Sequence, residues 1–464
     1  MSKILTGLVS FFRLAILTNF LVKEDFGLIA IANIFIGFAS LFADVGFNIG
    51  IIHKQKISRE TLSSLFWFGL ACGLFLSICL CLASYPVSWY YNDYSLVSII
   101  SLLSLSVFFN SLGSQSVTMF QKNHKFKIIS VITIISTILS FCCAVLMAYL
   151  GYGVYSIVFA VLVQSLLYSM TFLVLNIKTY NSIYFHYKYN EIKPFLNIGL
   201  YQIGSNIFDY SNKQLDIFII STFYSKEVVG VYSLCKNFVL MIYSTTGSVF
   251  NTLLAPYFAD IQTQKEKVKS IFLNIVNFNF IVFFPMYILL AYFADYIILL
   301  VFGENYLEGA PILSLLLIGY AFVNIMIIVA PLVVAYGRTN LFMLWNFYLL
   351  LTNSIMLYFV SGFEIVYIAV YFAVFSIINT YMYWWFVVRK IININYLDFM
   401  KNPLLIAFQS FLCVIPLYLL ISDDFVQMIL SSLIFLTAYY FIIKRQLIEN
   451  IIFNNLTSKF LKNG

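Results

Sequence analysis

Six ionisable residues stand inside otherwise apolar stretches of this chain: Arg13, Asp44, Asp209, Lys213, Asp216 and Lys236. A charge placed among apolar neighbours is costly and usually faces a cavity or a partner. Cations there suit an anionic group such as a phosphate. Carboxylates suit a proton, a metal cation or an internal ion pair. The stretch 196–224 concentrates these groups. Gln202, Asn206, Asp209, Lys213 and Asp216 follow one another at spacings of 4, 3, 4 and 3, which on a helix makes one continuous stripe. A static reading stays open beside the functional one, because Asp209 and Lys213 are an i,i+4 pair able to neutralise each other. Arg13 has no acidic neighbour on its own stretch. Asp44 lies near the end of its stretch with Asn48 one turn on, so an interfacial structural role stays open there too. Lys236 falls near the depth of Asp216, counted from the turn between them. Asp216 therefore has two prospective cationic partners, Arg13 and Lys236.

The stretches that carry these groups are membrane spans. Apolar types make up 62% of the 464 residues and charged types only 10%, against about 45–50% and about 25% in a soluble domain. About 20 apolar residues make a spanning helix. Fourteen such stretches are predicted: 4–22, 26–52, 62–85, 95–117, 128–150, 152–175, 196–224, 228–256, 270–293, 309–336, 341–361, 365–388, 403–421 and 425–443. A barrel would need strands of about ten residues with alternating polarity, and these runs are longer and apolar on all sides. With the N-terminus in the cytoplasm, twenty-one of the 26 Lys and Arg fall in inner segments, and only Lys23 and Lys226 in outer ones. That asymmetry is the positive-inside signal, and it puts both termini inside. The net charge of +7 then reflects topogenic lysines near anionic lipid, with no call for a nucleic-acid partner.

Several chemistries find no support in the sequence. There is no phosphate-binding Gly-x-x-x-x-Gly-Lys-Ser/Thr loop. His53, His124 and His186 sit in three different inner loops, so no metal or other cofactor is expected. The seven cysteines all fall within spans and read as small hydrophobes. Stretch 4–22 lacks a small-residue cleavage site and reads as a span rather than a cleaved leader. The outer loops are too short for a catalytic domain. Asn and Gln scattered through other spans read as helix-to-helix glue. Pro256, Pro285 and Pro331 mark places where C-terminal spans can bend.

An internal echo organises the chain. Lys23-Glu24-Asp25-Phe26-Gly27 recurs as Lys226-Glu227-Val228-Val229-Gly230, and Gly151-Tyr152 recurs as Gly362-Phe363. Both echoes fall where a six-plus-six duplication would put them, with parallel halves related by an axis along the membrane normal. Shifting by the first offset lays Thr6, Ser10 and Arg13 onto Asp209, Lys213 and Asp216. The expected fold is therefore an all-α polytopic membrane protein of about fourteen helices. It would comprise an N-terminal six-helix lobe (1–177), a cytoplasmic Tyr- and Lys-rich linker (178–195), a pseudo-symmetric C-terminal six-helix lobe (196–390), two further helices (391–443) and a tail (444–464). Apolar residues at helical spacing in the tail suggest a helix on the inner membrane surface.

The motifs resemble those of one family. Leu17-Thr18-Asn19-Phe20-Leu21 followed by Glu24-Asp25-Phe26-Gly27 looks like the first hairpin of the polysaccharide transporter branch of the multidrug/oligosaccharidyl-lipid/polysaccharide flippase superfamily. Asp44-x-Gly46, Phe66-Trp67, Gly151-x-Gly153-Val154-Tyr155, Gly230-x-Tyr232, Phe302-Gly303 and Gly337-Arg338 fit in order over about residues 1–390. Gln121-Lys122-Asn123 departs from the pattern, where an arginine is common. The resemblance implies a flippase that turns an oligosaccharide repeat unit on undecaprenyl diphosphate, of the O-antigen or exopolysaccharide kind, across the bacterial inner membrane. It implies lipid-linked oligosaccharide, membrane lipids and other polysaccharide assembly proteins as partners, and no catalysis. On this reading Arg13, Lys213, Lys236, Gln202 and Asn206 meet the substrate, and Asp209, Asp216 and Asp44 couple or gate. A drug/cation antiporter of the same superfamily and a membrane enzyme of polysaccharide assembly are the rival expectations. Three central cations argue against the first, and short outer loops against the second.

Overall fold

In a spanning segment the backbone must satisfy its own hydrogen bonds, so an apolar chain of this kind becomes helical. The computed structural model describes residues 2–43, 47–54, 57–180 and 183–418, together with 435, 437 and 439. The helices in chain order are α1 (Ser2–Leu17), α2 (Lys23–Ala43), α3 (Phe47–His53), α4 (Arg59–Tyr90), α5 (Ser95–Lys122), α6 (Phe126–Tyr149) and α7 (Tyr155–Tyr180). They continue as α8 (Tyr189–Phe223), α9 (Lys226–Ile261), α10 (Lys265–Tyr292), α11 (Ala294–Val301), α12 (Ala310–Val323) and α13 (Met326–Ala335). The last are α14 (Thr339–Val360), α15 (Ile365–Tyr383), α16 (Arg389–Ile392) and α17 (Tyr396–Tyr418). No strand occurs among the described residues.

Eleven segments are long and apolar enough to cross a membrane, counted among the described residues. Three of the fourteen expected spans are not among them. The apolar part of α1 is short (Leu5–Leu17). α8 is one continuous helix, but Asp209, Lys213 and Asp216 break its apolar run. The stretch 425–443 lies almost entirely outside the described residues, as does all of the tail 444–464. The expected span 309–336 is not one helix but two. α12 and α13 break at Asn324 and Ile325, where buried Asn324 donates to Asn279 Oδ1 of α10 at 3.1 Å and accepts from Thr246 at 3.4 Å. A side chain that holds neighbouring helices this way fixes the local backbone and lets the chain bend.

The chain divides into two compact units. The first comprises Met1–Leu234, Val301–Tyr306 and Asn346–Ile365. In it α4, α5 and α7 pack side by side, α6 packs on α7, α1 lies on α6, and α8 lies on α2, α3 and α4. Small polar residues allow the α4–α5 approach: Ser77 meets Ser104 and Ser84 meets Ser101, each at 3.3 Å. That is the usual device where lipid offers no hydrophobic drive between helices. At the turn into α7, Gly151 and Gly153 both take positive φ (81° and 52°), which glycine adopts without a Cβ clash.

The second unit comprises Cys235–Leu300, Leu307–Trp345 and Val366–Gly464. α10 is its centre and packs on α12 and α17. Phe272 of α10 stacks on Phe399 of α17 at 6.0 Å, and Tyr439 donates to the Ile281 carbonyl of α10 at 2.7 Å. Cys235 and Cys413 are buried, whereas Cys79 and Cys142 are exposed on helix surfaces that lipid would cover.

Candidate functional site

α8 is held on two sides, and its polar stripe projects between them. On one side the Tyr210 hydroxyl donates to the Asn33 carbonyl of α2 at 2.8 Å. A Cβ on Gly37 of α2 would overlap that hydroxyl, so glycine is what lets Tyr210 reach the backbone. On the other side Asn212 Nδ2 donates to the Asn346 carbonyl of α14 at 2.7 Å, and Phe208 meets Phe347 edge-on at 5.9 Å. Asn206, Asp209, Lys213 and Asp216 fall on the arc between these contacts, as 3.6-residue periodicity requires.

The four differ in what they touch. Lys213 donates to Asp209 at 2.6 Å, with side-chain exposures of 61% and 49%. This is the self-neutralising i,i+4 pair, and exposure keeps such a pair weak and breakable. Asp216 is half-buried, and its Oδ2 accepts from the Tyr232 hydroxyl of α9 at 2.8 Å. Tyr232 is only 1% exposed. Sequence spacing missed this partner, although Gly230-x-Tyr232 stood among the motifs. Asn206 is half-buried.

Arg13 is half-buried on α1. Among the described residues its guanidinium makes no ion pair and no hydrogen bond, and none joins it to Asp216. Lys236 is 4% exposed on α9, in the second unit. Asp44 and the side chain of Gln202 lie outside the described residues.

At one end of the first unit the echoed turns meet. A Cβ on Gly27 would overlap the Lys226 carbonyl oxygen, and a Cβ on Gly230 would overlap the Lys23 carbonyl oxygen. Lys226 pairs with Asp93 and reaches Glu24 at 3.5 Å. Asp93 also accepts from the amide of Ser95 at 2.8 Å and its hydroxyl at 2.7 Å. Burial pushes the Asp93 carboxyl up, but the Lys226 and Ser95 donors outweigh it and hold it below the usual carboxylate range.

At the opposite end of the sequence topology, the chain between α7 and α8 crosses the start of α4. Trp67 Nε1 donates to the Tyr184 carbonyl at 2.9 Å, and Trp67 stacks on Phe185 at 4.9 Å. Ser63 also donates to that carbonyl. Ser64 donates to Glu191 at 2.7 Å, and His186 Nε2 lies 3.1 Å from the other Glu191 oxygen. The Ser64 hydroxyl chiefly, with help from His186 and against burial, keeps the Glu191 carboxyl below its usual range. Glu60 completes a group whose ligand atoms lie within 4.8 Å of one another. Sequence spacing gave no sign of this group, because Glu60 lies far from His186 along the chain and only folding unites them. Lys188 and Arg59 add positive charge nearby, which suits an ion-paired strap better than a metal centre.

Comparison with known proteins places these features in context. The family model described as "Polysaccharide biosynthesis protein" matches residues 16–311. A protein of Klebsiella pneumoniae described as an uncharacterized membrane protein in the cps region is 26% identical, over 91% of this chain and 87% of its own length. The teichuronic acid biosynthesis protein TuaB of Bacillus subtilis (strain 168) is 25% identical, over 80% of this chain and 77% of its own length. Among solved structures, the lipid II flippase MurJ in an inward closed conformation superimposes with a TM-score of 0.74. That match covers 96% of this chain and 98% of the other at 15% identity, and it establishes a shared fold.

Proposed function

The chain belongs to the polysaccharide biosynthesis protein family, and we propose on that premise that it is a flippase for lipid-linked oligosaccharide. The substrate is an O-antigen or exopolysaccharide repeat unit carried on undecaprenyl diphosphate. It is turned by alternating access across the bacterial inner membrane, with both termini of the protein in the cytoplasm. The protein is a multi-pass membrane transporter and not an enzyme. Two six-helix lobes, 1–177 and 196–390, rock about the linker 178–195, with helices of 391–443 outside the repeat.

One observation carries the reading. Arg13 is a half-buried guanidinium on the apolar helix α1 with no anionic partner among the described residues. A cation in such a place is stabilised by an anion that comes and goes, and a diphosphate supplies one with bidentate geometry. Lys213 is a second phosphate contact once it leaves Asp209, a step its exposure makes easy. Lys236 is a third. Gln202 and Asn206 offer amides to sugar hydroxyls, while the polyprenyl tail stays in lipid.

Asp216, with Asp209 and Asp44, is the coupling or gating group. Its carboxylate accepts from the Tyr232 hydroxyl and the Ile217 amide, and the hydroxyl contact can be traded for a proton, a sodium ion or Arg13 as the lobes move. Reconstitution tests the reading: wild-type protein moves lipid-linked oligosaccharide across a vesicle membrane, and Arg13→Ala does not. A wild-type protein that moves none, or that instead exchanges cationic drugs for ions, overturns it.

A further inference from the structure

We propose that the end of the first unit holding the α1–α2 and α8–α9 turns carries a carbohydrate subsite, separate from the polar stripe of α8. It takes uncharged sugar rings rather than the diphosphate. The inference rests on the reading above for the nature of the substrate and on the positive-inside pattern for its placement at the outer face.

A cleft of about 630 Å³ lies there, within the range of about 300–1,000 Å³ common for small-molecule sites. Tyr90, Tyr91, Asn92, Thr222, Glu24 and Glu227 frame it. The Tyr90 and Tyr91 rings stand at 86° with centroids 5.0 Å apart and so form a corner. The Tyr91 hydroxyl turns inward to Ser221 at 2.9 Å, and the Tyr90 hydroxyl donates along the surface to exposed Thr222 at 3.4 Å. A tyrosine of an interfacial belt keeps its ring in lipid and its hydroxyl free at the headgroups. Here the hydroxyls fix the rings, and Tyr90 remains 52% exposed. A pyranose has one face of C–H groups and a rim of hydroxyls. The first suits a fixed aromatic face, and the second suits carboxylates and amides at the edge.

Charge decides between sugar and phosphate. Lys226 is the lining cation, and it is already engaged by Asp93 and Glu24. Glu227 adds a further exposed carboxylate. A diphosphate would meet net repulsion, whereas hydroxyl donors find acceptors. The cleft thus complements the anion-binding role assigned to Arg13, gripping the headgroup's glycan where the lipid-linked unit arrives.

The test uses full-length protein in lipid nanodiscs and saturation-transfer NMR. The probes are the repeat-unit oligosaccharide released by mild acid from the producing cell's lipid-linked pool, the same glycan still on its lipid, and sugar-free undecaprenyl diphosphate. Transfer from protein to sugar C–H protons is expected. It should weaken by at least about tenfold in Tyr90→Ala/Glu227→Gln, and Tyr90→Phe, which keeps the ring, should retain it. Sugar-free undecaprenyl diphosphate should not displace the glycan. Transfer to the lipid-linked form alone identifies arriving substrate as the source, and transfer to both forms adds released glycan. No transfer to either, equal transfer in the double variant, or displacement by the sugar-free lipid overturns the proposal. Translocation measured in the same preparations separates the two claims. Transport without sugar contact removes only the subsite, and sugar contact without transport removes only the flippase reading.

Discussion

Gly27 of α2 and Gly230 of α9 lie against each other, each where the other's helix begins. A Cβ on either would overlap the carbonyl oxygen of the lysine that starts the opposite helix, Lys226 or Lys23. The two glycines are the same position of the echoed sequence. Their reciprocal contact is what a twofold relation produces when its axis passes through the crossing. The obstacle is backbone and not a flexible side chain, so alanine at either site forces the helices apart. Overpacking of this kind costs about 1–3 kcal/mol. Gly27→Ala and Gly230→Ala should each lower the thermal midpoint of the purified protein. Because both act at one crossing, the double variant should lose less than the sum of the two.

The Asp93–Lys226 pair gives a pH dependence of known sign. The folded-state pKa of Asp93 lies below its ordinary value of 3.8. Its contribution to stability is therefore complete above that ordinary value and is lost as pH falls through the folded pKa. Asp93→Asn should be less stable than wild type at neutral pH, and the gap should close in acid below the ordinary value. Lys226 is 26% exposed, so the gap should also shrink in high salt. Thermal unfolding at several pH values and ionic strengths measures both trends.

Tyr232→Phe removes the hydroxyl that holds Asp216 and leaves the ring in place. A hydrogen bond to a charged group is worth about 1.5–3 kcal/mol, so the ion-dependence of transport should shift while the fold persists. Translocation rates against imposed proton and sodium gradients provide the measurement. An unchanged dependence on both gradients would remove Asp216 from coupling.

Trp67→Ala should release the strap between α7 and α8. It removes the indole that donates to the Tyr184 carbonyl and stacks on Phe185. Limited proteolysis of the protein in detergent should then cut within 183–188 several times faster than in wild type. The same variant should leave the Gly27–Gly230 crossing intact, so its loss of thermal stability should be the smaller of the two.

What could be read from the residues alone follows physical range. Hydropathy and the placement of Lys and Arg are local signals, and they sufficed for a polytopic helical fold. The spacing of Asn206, Asp209, Lys213 and Asp216 is also local, and the helix keeps all four on one arc between Tyr210 and Asn212. Contacts between distant segments were less accessible. Tyr232 reaching Asp216, and Glu60 meeting His186 and Glu191, depend on which helices touch, which periodicity does not report. The break at Asn324 was hidden because the flanking residues are as apolar as any spanning helix. The echo of Lys23–Gly27 in Lys226–Gly230 was the exception, since a repeat in sequence can mark a contact in space.

The proposed role of Arg13 is to receive the diphosphate of a lipid-linked oligosaccharide. The most direct measurement is translocation of that substrate by purified protein in sealed vesicles, comparing wild type, Arg13→Lys and Arg13→Ala. Loss of transport to background is expected for Arg13→Ala, and partial retention for Arg13→Lys, which keeps the charge but not the bidentate fork. Thermal stability should be unchanged in both. Transport by Arg13→Ala at the wild-type rate would contradict diphosphate binding by Arg13.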